Sequence, residues 1–337
     1  RFLVPPAPRG LAPGTPPSFA VAIATYQAAA TVVASVESAL GQTVAPSEVI
    51  VVDDGSTDDT ADALRPYGSR IVYVRQENRG KAAAINAAAR LSGSDFLSIL
   101  DADDVYEPDR LAALSELAAA RPDLDILMTD AYFEAGGEIV GRFSDRTPFA
   151  TTSQSVAIFE RCFVAWPALR RTKLLALGGF DESPLVSPAE DWECWIRLLH
   201  AGCSAGMVPE PLLRYRIAAD SLTGDRVNAL RSRVHILELA ARLDLSADER
   251  RALERFLPHR RRRLLLAEAE RALREHAPDA RARALAVVAA PGTPLTARAR
   301  ALAAAAAPRL AARRLAAIEA RTGYTRIKRG VPRRAGQ

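Results

Sequence analysis

The run Phe96-Leu97-Ser98-Ile99-Leu100 leads straight into Asp101-Ala102-Asp103-Asp104, three carboxylates within four positions. Residues two apart on an extended chain point the same way, so Asp101 and Asp103 converge, roughly 6–7 Å apart at the backbone. Like charges this close repel unless a cation, a basic side chain or a proton lies between them. A hard divalent cation with oxygen ligands, Mn²⁺ or Mg²⁺, meets that need. A solvated acidic turn capping the next helix is the other reading of the same residues. A second acidic pair, Asp53-Asp54, closes the apolar run 48–52 and leads into Gly55-Ser56-Thr57. Tyr26 closes a third, 19–25. Parallel strands that end together place these residues on one sheet edge, where open α/β sheets bind ligands.

Positioning them takes strands and helices in alternation. Residues 19–25 (FAVAIAT), 48–52, 71–75 and 96–100 read as short buried strands. Residues 28–40, 56–64 and 80–91 read as the intervening helices; the first is apolar at Val32, Val33, Val36 and Leu40 and ends at Gly41. This alternation predicts βαβ units and a mostly parallel sheet flanked by helices, an α/β fold. Further on, 108–120 reads as a helix with Pro108 in its first turn, and 125–133 as a strand before a Gly136-Gly137 hairpin. Residues 145–165 give no clear pattern. Residues 171–177 read as a helix ending at Gly178-Gly179. Ser187-Pro188-Ala189-Glu190 has the form of a capping box, and Trp192, Trp195, Ile196 and Leu199 follow at helical spacing.

The chain has 337 residues, enough for one large domain or two, and 49% are hydrophobic. No apolar run reaches the ~18 residues of a membrane span. Residues 1–17 are a Pro-rich lead without the apolar segment of a signal peptide. The chain opens at Arg, not Met, which leaves room for an upstream segment. Three cysteines out of metal spacing suggest a reducing compartment and no disulfide framework. Charge divides the chain. Residues 1–225 hold 19 Lys and Arg against 30 Asp and Glu, a balance of −11. Residues 226–337 hold 26 against 10, a balance of +16. That second part is rich in Ala, Leu and Arg and reads as helices broken near Pro258, Pro278, Pro291 and Pro308. Its charge suits either solvated Arg-laden faces or an anionic membrane surface. Nucleic acid is not expected, because the aromatics and motifs of such a module are absent.

No Gly-x-Gly-x-x-Gly and no Walker loop occurs. Instead 19–25 with Tyr26, 49–57 (VIVVDDGST), 77–86 (ENRGKAAAIN), 100–104 (LDADD) with Pro108, 178–181 (GGFD) and 190–198 (EDWECWIRL) stand in one order. Together they resemble an inverting family-two glycosyltransferase of the GT-A fold, over about residues 18–225. The resemblance does not reach 226–337, which leaves an all-helical C-terminal region.

The resemblance implies a nucleotide-diphosphate sugar as donor, a UDP-sugar foremost, and a divalent cation acting as a Lewis acid on the leaving diphosphate. It implies Asp103 as direct metal ligand, with Asp101 near the ribose or reaching the metal through water. Asp104 supports either or caps the Pro108 helix. Asp54 accepts from the base ring N–H and Tyr26 stacks on or borders the base. Asp53 binds donor or holds a turn. Arg79 and Lys81 contact phosphate, and Arg216 and Ser221 face the diphosphate. Asp191 is the general base and Trp195 borders the acceptor. No Gln-x-x-Arg-Trp motif follows Asp191, which favours single-sugar transfer, and Ala218 stands where many relatives carry His. The acceptor is a sugar, lipid-linked or other glycoconjugate hydroxyl in envelope polysaccharide or glycolipid synthesis. The expected place is the cytoplasm, at or near the inner membrane face. Two rivals exist. Asp101-Ala102-Asp103-Asp104-Val105 also fits the signature of haloacid-dehalogenase-type phosphatases, although about 95 residues of α/β precede it here. A non-catalytic nucleotide-sugar binder is the other.

Overall fold

A computed structural model of the protein describes residues 2–6, 14, 16–217, 225–315 and 317. The chain divides into two compact units, 1–186 with 190–218, and 187–189 with 219–337.

The first unit opens with β1 (Phe19–Thr25), α1 (Val32–Leu40), β2 (Glu48–Asp53), α2 (Thr60–Leu64), β3 (Val72–Arg75), α3 (Lys81–Leu91) and β4 (Phe96–Asp101). β1, β2 and β4 are buried almost throughout, as strands covered on both faces must be, and their unbroken apolar runs supply that burial. Next come β5 (Val105–Tyr106), α4 (Arg110–Ala120), β6 (Ile126–Ala135), β7 (Glu138–Arg142), α5 (Phe143–Arg146), α6 (Gln154–Glu160), β8 (Ala168–Arg170), α7 (Arg171–Ala176), α8 (Glu190–His200) and β9 (Ala205–Arg216). They build one sheet in the order β3-β2-β1-β4-β8-β6-β9-β5, with β7 on β6. β3, β2, β1 and β4 run parallel, as do β6 and β9, whereas β5, β7 and β8 pair antiparallel with their neighbours.

Strand register does the positioning. Thr25 lies beside Asp53, and Ala24 beside Asp101. The residues that follow, Tyr26, Asp54 and Asp103, therefore leave the sheet at one edge. β9 has no counterpart in the sequence reading, because Pro209 and Pro211 cannot donate to a ladder and make the stretch look like loop. The structure accommodates them where the β6–β9 register shifts, around Asp130. Past the shift, β9 carries Arg216 towards the end of β4.

The second unit contains α9 (Arg226–Ala240), α10 (Ala247–Arg274), α11 (Ala280–Ala289) and α12 (Leu295–Ala306). α10 runs through Pro258, where a break was expected. A proline inside a helix costs about 3 kcal/mol. The buried residues Ala252 and Leu253 before it, and Ala267, Ala269, Ala272 and Leu273 after it, hold both halves in packed surroundings. Pro278 and Pro291 do fall between helical stretches, and Pro308 opens the helical stretch that follows α12. Ala272, Leu273, Ala280, Ala284, Ala304 and Ala305 form one core, whose small side chains let the helices approach closely. No helix among the described residues is long and apolar enough to cross a membrane.

Candidate active site

At the carboxyl edge of β1, β2 and β4 lies a cleft of about 390 Å³, lined by Tyr26, Gln27, Asp54, Lys81, Asp101 and Asp103 among others. Tyr26 is 52% exposed there, a ring open to a partner. Gln27 bridges the ends of two strands: its Oε1 accepts from the N–H groups of Thr57 and Asp58, and its own N–H donates to Ser56 Oγ. It takes a positive φ of 50° to do so. Asp54 is buried and accepts from Gln76 Nε2 and from the backbone N–H groups of Arg79 and Gly80, at 2.7–2.9 Å. It thus shapes the loop before α3 while still facing the cleft.

Asp53 does not reach the cleft. It is wholly buried, with Oδ1 accepting from the Ser56 N–H and Oδ2 from Tyr73 Oη. Of its two sequence readings the turn-holding one prevails, because Asp53 is wholly buried and is not among the residues lining the cleft. Arg79 is not among the lining residues either: its Nη2 donates to Glu182 at 2.6 Å.

Asp101, Asp103 and Asp104 can each bring a carboxylate oxygen within 4.8 Å of the others. Asp104 is completely buried; Oδ1 accepts from the Arg216 N–H at 3.0 Å, and Oδ2 is buried with no hydrogen-bond partner among the described residues. Burial, and then the neighbouring carboxylates, push the Asp104 and Asp103 acids above the ordinary range. Lys81 pairs with Asp101. Desolvation pulls the amine down, but Asp101 outweighs it and the amine is held above its usual range. Arg216 Nε donates to the Asp103 carbonyl at 2.6 Å, and its Nη2 is buried with no hydrogen-bond partner among the described residues. Three carboxylates this close together, with one oxygen of Asp104 buried and without a hydrogen-bond partner among the described residues, fit a hard divalent cation held by Asp101, Asp103 and Asp104. Ser221 and Ala218 lie outside the described residues.

α8 brings a second acidic pair to this region. Lys81 feels Asp191 and Glu190 as well as Asp101, which places all of them within electrostatic range of the amine. The helix begins at Glu190, which makes Glu190 its first residue and not the third that a capping box on Ser187 requires. Asp191 is exposed, and its Oδ1 accepts from the Trp192 N–H at 2.6 Å. Glu190 is largely buried; Oε2 lacks a hydrogen-bond partner among the described residues, and burial raises its pKa. Trp195 is core, not a platform at the cleft. It is 2% exposed and meets Phe180 edge-on, because the apolar stripe of α8 must face inward to hold the helix.

Sequence reasoning assigned no role to the residues that fix α8. Asn86 of α3 donates to the Phe180 carbonyl and accepts the Phe180 N–H. Arg197 of α8 pairs with Glu193 and donates to the Leu177 and Gly179 carbonyls at 2.6–2.7 Å. Their signal was present as spacing in the 77–86, 178–181 and 190–198 blocks, which clasp one another here.

Residues 20–176 match the sequence model of Glycosyl transferase family 2. That stretch belongs to the family. A chondroitin synthase of Escherichia coli is 30% identical over 192 residues, 55% of this chain and 27% of that protein. The chain thus spans about a quarter of that relative's length. The chain is also 27% identical over 222 residues to an Escherichia coli protein named UDP-Glc:alpha-D-GlcNAc-diphosphoundecaprenol beta-1,3-glucosyltransferase, covering 65% of this chain and 84% of that one. Among solved structures it resembles a mannosyltransferase of Pyrobaculum calidifontis in complex with GDP-Man and Mn²⁺. The TM-score is 0.55 at 22% identity, with 93% and 90% of the two chains covered. That likeness shows the GT-A fold.

Proposed function

We propose that this family-2 protein transfers a single sugar, with inversion, from a nucleotide-diphosphate sugar to an acceptor hydroxyl. The observation that carries the reading is the continuity of one cleft. It runs from Tyr26 and Asp54 to the carboxylates of Asp101 and Asp103. A bound Mn²⁺ or Mg²⁺ at Asp101, Asp103 and Asp104 would supply Lewis acidity towards the leaving diphosphate. The protein's own residues do the rest. Tyr26 borders the base and Asp54 offers a carboxylate to its ring N–H. Lys81 and Arg216 bring positive charge to the diphosphate side. Asp191 takes the acceptor hydroxyl's proton as its oxygen attacks the anomeric carbon from the face opposite the leaving group.

The relative named for UDP-Glc and a diphosphoundecaprenol acceptor supports a UDP-sugar as donor and a lipid-linked acceptor. The test is a thermal-shift screen of UDP-, GDP- and dTDP-sugars with Mn²⁺, followed by transfer assays with the donor that binds. Nucleoside diphosphate should be released on adding acceptor, and excess EDTA should stop it. Orthophosphate release from phosphate esters with no donor binding would instead indicate a phosphatase.

A further inference from the structure

Within the second unit a cleft of about 830 Å³ opens between the end of α10, the start of α11 and the stretch from Pro308. Its floor is apolar, built from residues such as Leu273, Ala277 and Ala312, and its lining includes Arg274, Arg281, Arg309 and Arg313. No Asp or Glu is among its lining residues. Arg274 reaches back to Glu270 at 3.8 Å, outside the lining. The imbalance extends along the chain: residues 280–318 contain seven arginines and no acid. Arg309 and Arg313 are four apart on one helical stretch and so present guanidiniums on the same side. The same stretch of chain also exposes leucines, Leu302 at 51%, Leu310 at 53% and Leu295 at 81%.

We infer that this arginine-lined cleft binds the phosphate headgroups of an anionic membrane surface. Guanidinium groups match phosphate in geometry as well as charge, forming paired N–H donors that an ammonium lacks. The apolar floor and the exposed leucines suit the boundary between headgroups and acyl chains, where Arg next to Leu is the favoured combination. A purely solvated surface would not need an apolar floor beneath its charges. The inference does not depend on glycosyl transfer, so its test needs neither donor nor acceptor.

The experiment is sedimentation of the full chain with vesicles of phosphatidylcholine alone, or with phosphatidylglycerol mixed in. The wild-type chain should bind only the acidic vesicles, and salt should weaken it. Each basic residue near such a surface contributes about fivefold in binding, so Arg281→Gln, Arg309→Gln and Arg313→Gln together should weaken it about a hundredfold. A control with equal charge loss, Arg242→Gln, Arg251→Gln and Arg255→Gln, should weaken it far less. Circular dichroism should show unchanged helix content in both variants. Equal losses in the two triple variants would overturn the cleft in favour of diffuse charge. Binding to neutral vesicles, no binding at any salt, or binding of an oligoribonucleotide alone would overturn the membrane partner.

Discussion

Glu190 and Asp191 are adjacent carboxylates in opposite surroundings, and the division of roles between them is testable. Asp191 is exposed, while Glu190 is largely buried with a raised pKa. Removing a general base costs on the order of 10²–10⁴ in rate. Asp191→Asn should therefore bind donor like the wild type and transfer slower by that order, measured by parallel binding and turnover assays. Near wild-type transfer by this variant, with Glu190→Gln inactive, would move the base one residue earlier. Stability separates the pair further. A carboxyl whose folded pKa is raised contributes stability below its unfolded pKa, and that contribution is lost as pH rises through the folded value. The amide introduced by Glu190→Gln carries no charge to desolvate. That variant should therefore melt higher than the wild type at neutral pH, with the gap closing in acid, as thermal denaturation across pH would show.

At the scale of elements, the clasp between α3 and the turn before α8 holds the helix that carries Asp191, the proposed base. Gly179 has φ +78°, and a Cβ there would collide with Asn86 Oδ1. Gly179→Ala combines a left-handed conformation with that clash and should cost about 2–3 kcal/mol in denaturant unfolding. Asn86→Ala removes the two hydrogen bonds with Phe180 and one to Glu182. Loss of such buried bonds costs about 1–3 kcal/mol. Donor affinity should change little, because Tyr26 and Asp54 are untouched, while kcat should fall as α8 loosens. A loss of donor binding equal to the loss in kcat would count against this division.

For the whole molecule, ligand linkage offers the broadest check. Cation and nucleotide that bind only the folded chain stabilise it by about 2.7 kcal/mol at a hundred times their dissociation constant. Mn²⁺ with the matching nucleoside diphosphate should therefore raise the melting temperature. Asp103→Asn should lose that rise and keep its unliganded melting temperature or exceed it, since it relieves repulsion in an acid cluster. An undiminished shift in Asp103→Asn would place the cation elsewhere.

Periodicity and strand-end chemistry made the first half of the sheet, the α/β class and the edge carrying Tyr26, Asp54, Asp101 and Asp103 legible before any coordinates. These are local properties: an apolar run must be buried, and parallel strands share an end. β9 was not legible, because its two prolines are tolerated only where the register of β6 slips beside it. Side-chain direction was not legible either. Asp53 and Asp54 are neighbours of the same type and both hold loop groups, yet Asp53 is enclosed beside Tyr73 and Ser56 while Asp54 lines the cleft. Trp195 has the composition of a sugar platform, but the stripe that holds α8 to the core turns it inward. Residue type and spacing determined which chemistry this chain carries. Which of those residues are free to perform it was decided by packing, because a side chain that satisfies the interior is no longer available to a ligand.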